Sequence, residues 1–476
     1  MSARDDFGHG THTASTAVGV PVSLDDGSGD TMRGGAPKAR LAIYKAYVIS
    51  ISLGNIVTDG HPTFLQDCNA IAVLHAFQNG VVVSSAADRE YGFARNINQM
   101  TGYANLVVAK DAAIGNAYID RASSCNDADS LDYNLIYGKI VGGVGVIVID
   151  GAGTKEIGLS YDIPLATITP SEGEKLFAYM KSSNRPFAII LRTSVQQPTQ
   201  HEPTVAYFSS RGPGSAPGII KPDLAAPGRN ILAAWPPFEK ARADSIFYDI
   251  MSGTSMATPH VTGVAALLKA LYPHWSPAEI KSALMTTAYN LDNSKKPIQT
   301  DSGNVIATPY DIGSGLLNPN AALDPGLVYD FDMEDIVSYL CSSAVGITQR
   351  TLQGLLGYQI ECSNNSQLPH YDLNYPLIEV SNLRNKTISV YRTVTYRGKY
   401  GDPTDFQVEI ENPKGVSIQV KPSTLSFQRD GSKATFRVDI TPLQPLNKDV
   451  FGSYTWFNNV HRVRSPVAVQ TQNTHF

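Results

Sequence analysis

The sequence has few cysteines, few charged residues and no long apolar run, and each shortage excludes a class of protein. Its 476 residues include four cysteines and no Cys-x-x-Cys pair, which excludes a disulfide-built scaffold and a zinc finger. No apolar run approaches the roughly 18 residues of a membrane span, so we expect none. The net charge of −5 provides no basic surface for nucleic acid, so we expect no nucleic-acid partner.

Length and composition predict a globular chain of several domains. At about 150 residues per domain, 476 residues correspond to roughly three domains. Apolar residues make up 42% of the chain, which is close to the usual share for a soluble protein. The 39 glycines and 29 prolines are too few for a collagen or a low-complexity chain.

The signals for a cellular compartment disagree with one another. The first residues lack the apolar segment of a signal peptide. Asn364 and Asn385 each begin an N-glycosylation sequon, which is a weak pattern. Cys341 and Cys362 enclose a short polar segment, and their spacing fits a loop-closing disulfide and two free thiols equally well.

The order of strand-like and helix-like segments predicts an α/β fold followed by a β-sandwich. Residues 1–100 and 201–345 alternate short apolar strands with helices, which indicates a parallel, doubly wound sheet. Residues 101–200 indicate a smaller β-rich module inserted between these two parts. Residues 371–476 contain short alternating strands separated by turns, as in a sandwich.

Apolar periodicity predicts the individual elements. The predicted strands are Leu41–Val48, Val81–Ser85, Thr387–Tyr396, Asp405–Glu411, Val416–Val420, Ala434–Ile440 and Val460–Val469. The predicted helices are Asn69–Gln78, Glu172–Ser182 and a long helix that begins near Thr254.

The first segment that could carry chemistry is Gly8-His9-Gly10-Thr11-His12-Thr13-Ala14. Glycines on both sides of His9 allow a tight turn and leave its imidazole uncrowded. Taken alone, the segment fits a catalytic histidine, structural histidines, or a metal pair at positions i and i+3. Metal is the weakest interpretation, because no glutamate or third histidine lies at zinc-ligand spacing.

The second segment is Gly253-Thr254-Ser255-Met256-Ala257-Thr258-Pro259-His260, which leads into the apolar run Val261–Tyr272. We expect Pro259 within the first turn of a helix, where a missing N–H is tolerated. Ser255 then lies at the helix N-terminus, with its hydroxyl exposed to the positive end of the helix dipole. A simple N-cap serine is the alternative.

Together the two segments resemble the histidine and serine motifs of the subtilisin-like serine proteases, most closely those of the plant (cucumisin-like) branch. The resemblance covers nearly the whole chain. It continues in Tyr207–Pro213, Lys221-Pro222-Asp223, Ala226-Pro227-Gly228, Asp324–Asp330 and Asp372–Pro376.

The resemblance implies a serine endopeptidase that acts on polypeptides without a metal or other cofactor. In the family's chemistry His9 would be the general base and Ser255 the nucleophile. Residues 101–200 would be a shortened protease-associated insert, and residues 371–476 a fibronectin-III-like sandwich. The family is typically extracellular, and its fold would join Cys341 to Cys362.

The sequence also departs from the family's pattern at catalytic positions. The family's order is Asp, His, Ser, yet only eight residues precede His9, and Asp5 and Asp6 belong to the lead-in of the histidine motif. Arg89 stands where the family has its oxyanion-hole asparagine. Cys125 lacks its expected partner, because the insert is shortened.

Two functions from different classes therefore remain. The first is a serine endopeptidase by family, impaired because the triad aspartate and the oxyanion asparagine are missing. We also expect no carboxylate at the other ring nitrogen of His9. The second is a non-catalytic homologue or gene fragment that acts as a protein-binding module.

Overall fold

The computed structural model describes a large part of the chain. The described residues are 5, 8–23, 31–41, 47–52, 68–86, 90–91, 104–105, 145–149, 165–168, 170–191, 202–214, 216–236, 248–301, 305–342, 347–362, 369–381, 383, 386–444 and 448–470. Five residues singled out above lie outside them: Asp6, Arg89, Cys125, Asn364 and Asn385.

The described helices confirm the three predicted ones and add shorter ones. They are α1 (His9–Val18), α2 (Cys68–Gln78), α3 (Pro170–Ser182), α4 (Thr254–Leu271), α5 (Pro277–Thr286), α6 (Pro309–Ile312), α7 (Pro319–Ala322), α8 (Met333–Leu340) and α9 (Gln349–Leu356). None of these described helices is long and apolar enough to cross a membrane.

The strands of the N-terminal three hundred residues are short and form small sheets. They are β1 (Val22–Ser23), β2 (Thr31–Met32), β3 (Val48–Ile51), β4 (Val82–Ser85), β5 (Glu90–Tyr91), β6 (Ala104–Asn105), β7 (Val146–Ile149), β8 (Leu165–Ile168), β9 (Phe187–Ala188), β10 (Thr204–Val205), β11 (Ile231–Ala234), β12 (Tyr248–Gly253) and β13 (Gln299–Thr300). Strands β3 and β4, β7 and β8, and β10 and β13 pair in parallel. Strand β12 lies between β11 and β5 and is antiparallel to both.

The parallel pair β3–β4 is the described part of the predicted parallel sheet, and helix α4 packs on both strands. Most of the strand predicted at Leu41–Val48 lies outside the described residues, and the described strand β3 runs from Val48 to Ile51. Strand β3 pairs with β4 from Val48 opposite Val82 to Ile51 opposite Ser85. This pairing determines where β3 lies, and no local apolar pattern reveals its register. Strand β3 therefore ends directly before Ser52.

The C-terminal part is a two-sheet sandwich, as the alternating pattern predicts. Its strands are β14 (Leu327–Tyr329), β15 (Ile378–Ser381), β16 (Ile388–Tyr396), β17 (Asp405–Glu411), β18 (Val416–Lys421), β19 (Thr424–Ser426), β20 (Lys433–Pro442), β21 (Val450–Phe457) and β22 (Arg462–Gln470). One sheet has the order β14-β16-β20-β18 and the other β15-β22-β21-β17-β19. Buried aromatic side chains such as Phe406, Phe436 and Trp456 fill the space between the sheets.

Strand β14 comes from a part of the sequence that we assigned to the catalytic half. It pairs antiparallel with β16, from Leu327 opposite Tyr396 to Tyr329 opposite Val394. Its three side chains are fully buried. Helix α5 packs on the same strand, and the Tyr329 N–H donates to Ser282 Oγ at 2.8 Å. Strand β14 therefore connects the two parts of the chain.

A disulfide lies in the helical segment between β14 and the remaining sandwich strands. It joins Cys341, directly after α8, to Cys362, and the two Cα atoms are 5.4 Å apart. That distance is within the usual range for disulfides. The structure therefore contains the loop-closing disulfide rather than two free thiols. Closing a loop of this size stabilises a fold by about 3 kcal/mol in the chain-entropy account.

Arg392 on β16 holds the segment before β15 against strand β16. Its side chain is fully buried, and burial lowers the pKa of the guanidinium. The guanidinium donates hydrogen bonds to four backbone carbonyls, those of Tyr371, Tyr375, Leu377 and Tyr391. Beside it, the Asn374 amide donates to the carbonyls of Asp330 and Thr393. The family-like segment Asp372–Pro376 is therefore held by β16.

Candidate functional site

Helix α1 begins directly at His9, and the carboxylate of Asp5 caps it. Asp5 Oδ1 accepts the N–H of Gly8 at 2.8 Å, and Oδ2 accepts both the N–H and the hydroxyl of Thr11 at 2.7 Å. A carboxylate at this end satisfies N–H groups that have no intrahelical partner and complements the helix dipole. This arrangement agrees with the lead-in role expected for Asp5.

Gly8 sets the direction in which the chain enters α1. Its φ of 95° is in the left-handed region, which side chains other than glycine rarely adopt. A Cβ at this position would also lie 2.4 Å from the ring of Trp235. The glycine before His9 is thus required by backbone geometry and by packing, and it fixes His9 as the first residue of the helix.

His12, the second histidine of the first motif, has a structural role. It is fully buried, its Nε2–H donates to the Ile231 carbonyl at 2.8 Å, and its ring meets the edge of Trp235. Burial lowers the pKa of His12, although the hydrogen bond to Ile231 opposes that shift. A buried neutral imidazole attached to a backbone carbonyl is unsuited to carry a proton to and from a substrate.

The hydrogen bond of His12 Nε2 to the Ile231 carbonyl leaves only the other ring nitrogen of His12 for the metal pair that His9 and His12 could form. Within the described ranges, the one group of three side chains that could hold a metal ion is Asp324, Asp402 and His461. There, His461 Nε2 lies 3.0 Å from Asp324 Oδ1, and Lys399 Nζ lies 2.8 Å from Asp324 Oδ2. These residues lie where β14 and the sandwich meet, and Asp324 forms an ion pair with Lys399 there.

His12 should make stability depend on pH in a defined direction. Because its pKa is lower in the folded chain than in the unfolded chain, the unfolded chain binds more protons below about pH 6.5. The free energy of unfolding should therefore fall as the pH drops below that value. His12→Gln retains an N–H donor for Ile231 and should flatten the fall, as measured by urea unfolding at pH 5.5 and 7.5. An equally steep fall in the variant would assign the dependence to other histidines, such as His260.

The second motif forms the start of α4, with Ser255 as its second residue. Ser255 is fully buried. Its Oγ donates to the Ser52 carbonyl at 3.0 Å, and Ser52 Oγ donates to the Ser255 carbonyl at 3.0 Å. Ser255 is therefore not an N-cap serine, because Gly253 holds that position. The residue that directly follows β3 is bonded to the candidate nucleophile twice.

The expected position of Pro259 in the first turn was wrong. Because α4 begins at Thr254, Pro259 is its sixth residue and lies inside the helix. A residue there would normally donate its N–H to the carbonyl four residues earlier, which is that of Ser255. Proline has no N–H to donate, so this carbonyl lacks its intrahelical partner.

One further contact and one unpaired hydroxyl define the environment of Ser255 within the described residues. The Gly253 N–H donates to the Gly228 carbonyl at 2.8 Å, which attaches the start of α4 to the segment before β11. The hydroxyl of Thr254 is buried and makes no hydrogen bond within the described part of the chain. A donor beside Ser255 is therefore available to another group.

Helices α1 and α4 pack directly on each other. A Cβ on Gly263 would lie 2.9 Å from the Cα of Gly35 and 3.0 Å from the Ala17 carbonyl, so the backbones are very close there. Nearer the helix starts, the charge of His260 acts on the pKa of His12. The close approach at Gly263 and the electrostatic effect of His260 on His12 follow the same order along both helices, which indicates that their N-terminal ends lie on the same side. His9 and Ser255 are in these first turns.

Ser52 is the residue of this site that sequence analysis missed. Ser52 follows Ser50 in an alternating polar and apolar segment, which is an ordinary strand pattern. Its partner Ser255 is 203 residues away in the chain. A proline four residues after the motif serine was the available signal, because it shows that a carbonyl lacks its donor.

The chain is similar to known proteins over almost its whole length. The profile of the Subtilase family matches residues 1–307, and that of the fibronectin type-III domain matches residues 372–469. Subtilisin-like serine-protease S of Lotus japonicus is 38% identical, with 99% of this chain and 73% of that protein covered. Two Arabidopsis thaliana proteins, the CO(2)-response secreted protease and subtilisin-like protease SBT1.6, are 32% and 33% identical, and 73% and 74% of their lengths are covered.

The resemblance drawn from the two motifs is thereby confirmed over almost the whole chain. The family match includes residues 101–200, while their identity as a protease-associated insert stays a prediction. The chain belongs to the subtilase family, the subtilisin-like serine proteases, and carries a fibronectin type-III domain after its subtilase part.

Proposed function

We propose that the chain is a serine endopeptidase in which Ser255 is the nucleophile and His9 the general base. Ser255 Oγ would attack the carbonyl carbon of a peptide bond while His9 takes its proton. His9 would then return that proton to the leaving amine, and water would release the acyl group from Ser255. The polypeptide substrate follows from the family.

The observation that carries this proposal is the placement of His9 and Ser255 in the first turns of two helices packed in the same direction. The N-terminal end of a helix carries partial positive charge, which favours the negative charge that develops during acyl transfer. Backbone N–H groups of α4 and the hydroxyl of Thr254 are donors at that end.

The bond from Ser255 Oγ to the Ser52 carbonyl represents a resting arrangement. For catalysis the hydroxyl has to turn from that carbonyl toward His9. Breaking one neutral hydrogen bond costs about 1 kcal/mol, far less than the barrier to peptide hydrolysis. The observed orientation is therefore compatible with a nucleophile.

We propose in addition that a polypeptide limited to these 476 residues is a weak enzyme. No Asp-Ser-Gly or Asp-Thr-Gly motif precedes His9 in the printed sequence, and Arg89 stands at the position of the oxyanion asparagine. In the family's chemistry the carboxylate of the triad enforces the tautomer that presents the basic nitrogen of the histidine to the serine.

We propose an extracellular location for the protein, on the basis of its family. A disulfide between Cys341 and Cys362 is typical of oxidising compartments. One of the similar Arabidopsis proteins is named a secreted protease. The sequons at Asn364 and Asn385 also suit that route.

A fluorophosphonate probe with mass-spectrometric mapping tests the catalytic assignment. We expect the probe to modify Ser255, and we expect no modification at this position in Ser255→Ala. His9→Gln should reduce labelling at least about 100-fold, because general-base catalysis contributes on that order or more. His12→Gln is the matched control from the same helix and should label like the unchanged protein.

Two results would contradict the proposal. Equal losses in His9→Gln and His12→Gln would mean that His9 has no special role. Absence of any labelling at Ser255 in folded protein after long incubation would favour the second function, a non-catalytic homologue that binds other proteins.

A further inference from the structure

Pro259 creates a local problem in the helix that presents Ser255. It removes the N–H donor for the Ser255 carbonyl, and a proline ring also presses against the carbonyl four residues before it. Ser255 is fully buried, so water does not satisfy this carbonyl. A buried carbonyl without a donor would destabilise the turn that contains the nucleophile.

The hydroxyl of Ser52 supplies the missing bond. Ser52 Oγ donates to the Ser255 carbonyl at 3.0 Å, and Ser52 itself is 8% exposed. We infer that Ser52 is a positioning residue for the nucleophile: its hydroxyl replaces the hydrogen bond that Pro259 denies to Ser255 and so fixes Ser255 at the start of α4. This inference rests on the proposed role of Ser255.

A second serine provides a comparison within the same structure. Ser84, on the neighbouring strand β4, donates its hydroxyl to the Thr258 carbonyl at 3.1 Å and is as buried as Ser52. The Thr258 carbonyl, however, also accepts the hydroxyl of Thr262. The bond from Ser84 is therefore redundant, whereas the bond from Ser52 replaces one that the helix lacks.

The test combines removal of each hydroxyl with restoration of the missing N–H. Ser52→Ala should slow fluorophosphonate labelling of Ser255 roughly tenfold, which corresponds to about 1.4 kcal/mol in the barrier. The loss should appear in the maximal labelling rate rather than in the probe concentration for half-maximal rate. Ser84→Ala and the hydroxyl-retaining Ser52→Thr should label within about twofold of the unchanged protein, a change of about 0.4 kcal/mol.

Pro259→Ala offers the decisive second step, because alanine brings back the N–H for the Ser255 carbonyl. The double variant Ser52→Ala/Pro259→Ala should recover most of the labelling rate that Ser52→Ala loses. In urea unfolding, Ser52→Ala should lower the midpoint. In the double variant, this decrease in midpoint should be at most half as large, because Pro259→Ala restores the N–H. Such coupling between two positions is what a shared hydrogen-bond acceptor produces.

These readouts separate failure of the inference from failure of the proposed function. Labelling of Ser255 in Ser52→Ala at the unchanged rate, or no recovery in the double variant, would overturn the positioning role. If the unchanged protein is not labelled at all, the proposed function fails and the positioning role fails with it. The unfolding midpoints then still decide whether Ser52 replaces the missing hydrogen bond to the Ser255 carbonyl. If the shifts in midpoint caused by Ser52→Ala and Pro259→Ala simply add in the double variant, the two positions do not share that acceptor.

Discussion

A polypeptide limited to the 476 printed residues is expected to react with a fluorophosphonate at Ser255 about 10⁴-fold more slowly than the Lotus relative. In subtilisin, a member of the same family, loss of the triad aspartate lowers kcat by roughly 3 × 10⁴. Loss of one oxyanion donor in subtilisin costs roughly 10²–10³, and such losses are not additive within one catalytic unit. The measurement is the second-order rate of labelling, mapped to Ser255 by mass spectrometry.

The control is the same polypeptide with an upstream segment that carries the family's aspartate motif. If the missing carboxylate limits the rate, the extended polypeptide should label far faster, and His9→Gln should remove the gain. Labelling of the 476-residue form at a rate comparable to that of the relative would contradict the impaired-enzyme proposal. It would mean that another group orients His9.

Arg392→Met is expected to lower the free energy of unfolding by at least about 3 kcal/mol, as measured by urea denaturation. The side chain is fully buried and satisfies four backbone carbonyls around the start of the sandwich. A methionine of similar length would fill the volume but leave these carbonyls without the donors they now have. Each unsatisfied buried group costs about 1–3 kcal/mol, and the four costs do not simply add.

Arg462→Met is the matched control, since it removes the same charge from another sandwich strand. Arg462 pairs with Glu409 at 2.8 Å, and both side chains are more than half exposed. Exposed ion pairs of this kind contribute about 0–1 kcal/mol, so we expect little change. Equal destabilisation by both substitutions would indicate that general charge, rather than the hydrogen bonds of Arg392, supports the sandwich.

The sequence was most informative where a local pattern alone determines the structure. Alternation of apolar and polar residues predicts the strand Asp405–Glu411 with its observed bounds, because one face of an antiparallel sheet is buried. The small residues that follow His9 suit a closely packed helix, and α1 begins at His9. Ser255 was likewise expected near a helix start, and it lies in the first turn of α4.

The sequence was uninformative where distant segments decide the structure. Asp223 is bonded to Lys281 and to the hydroxyl of Tyr375, so two family-like motifs about 150 residues apart form one partly buried network. Burial opposes ionisation of Asp223, but the charges of Lys221 and Lys281 outweigh it and lower the pKa of the carboxyl. Neither this contact nor the bonds between Ser52 and Ser255 has a local signature, because each depends on how the chain returns to itself.

The pairing of β14 with β16 has a consequence for the order of events during synthesis. Tyr329 leaves the ribosome about 60 residues before β16 begins, which is roughly 3–12 s at usual translation rates. During that interval the apolar side chains of Leu327, Val328 and Tyr329 have no sheet to join, whereas helix α5, which contacts this strand in the folded structure, has already been made. A strand docked on α5 would then serve as a template on which the rest of its sheet is added, so that folding of the sandwich waits for the nascent subtilase part.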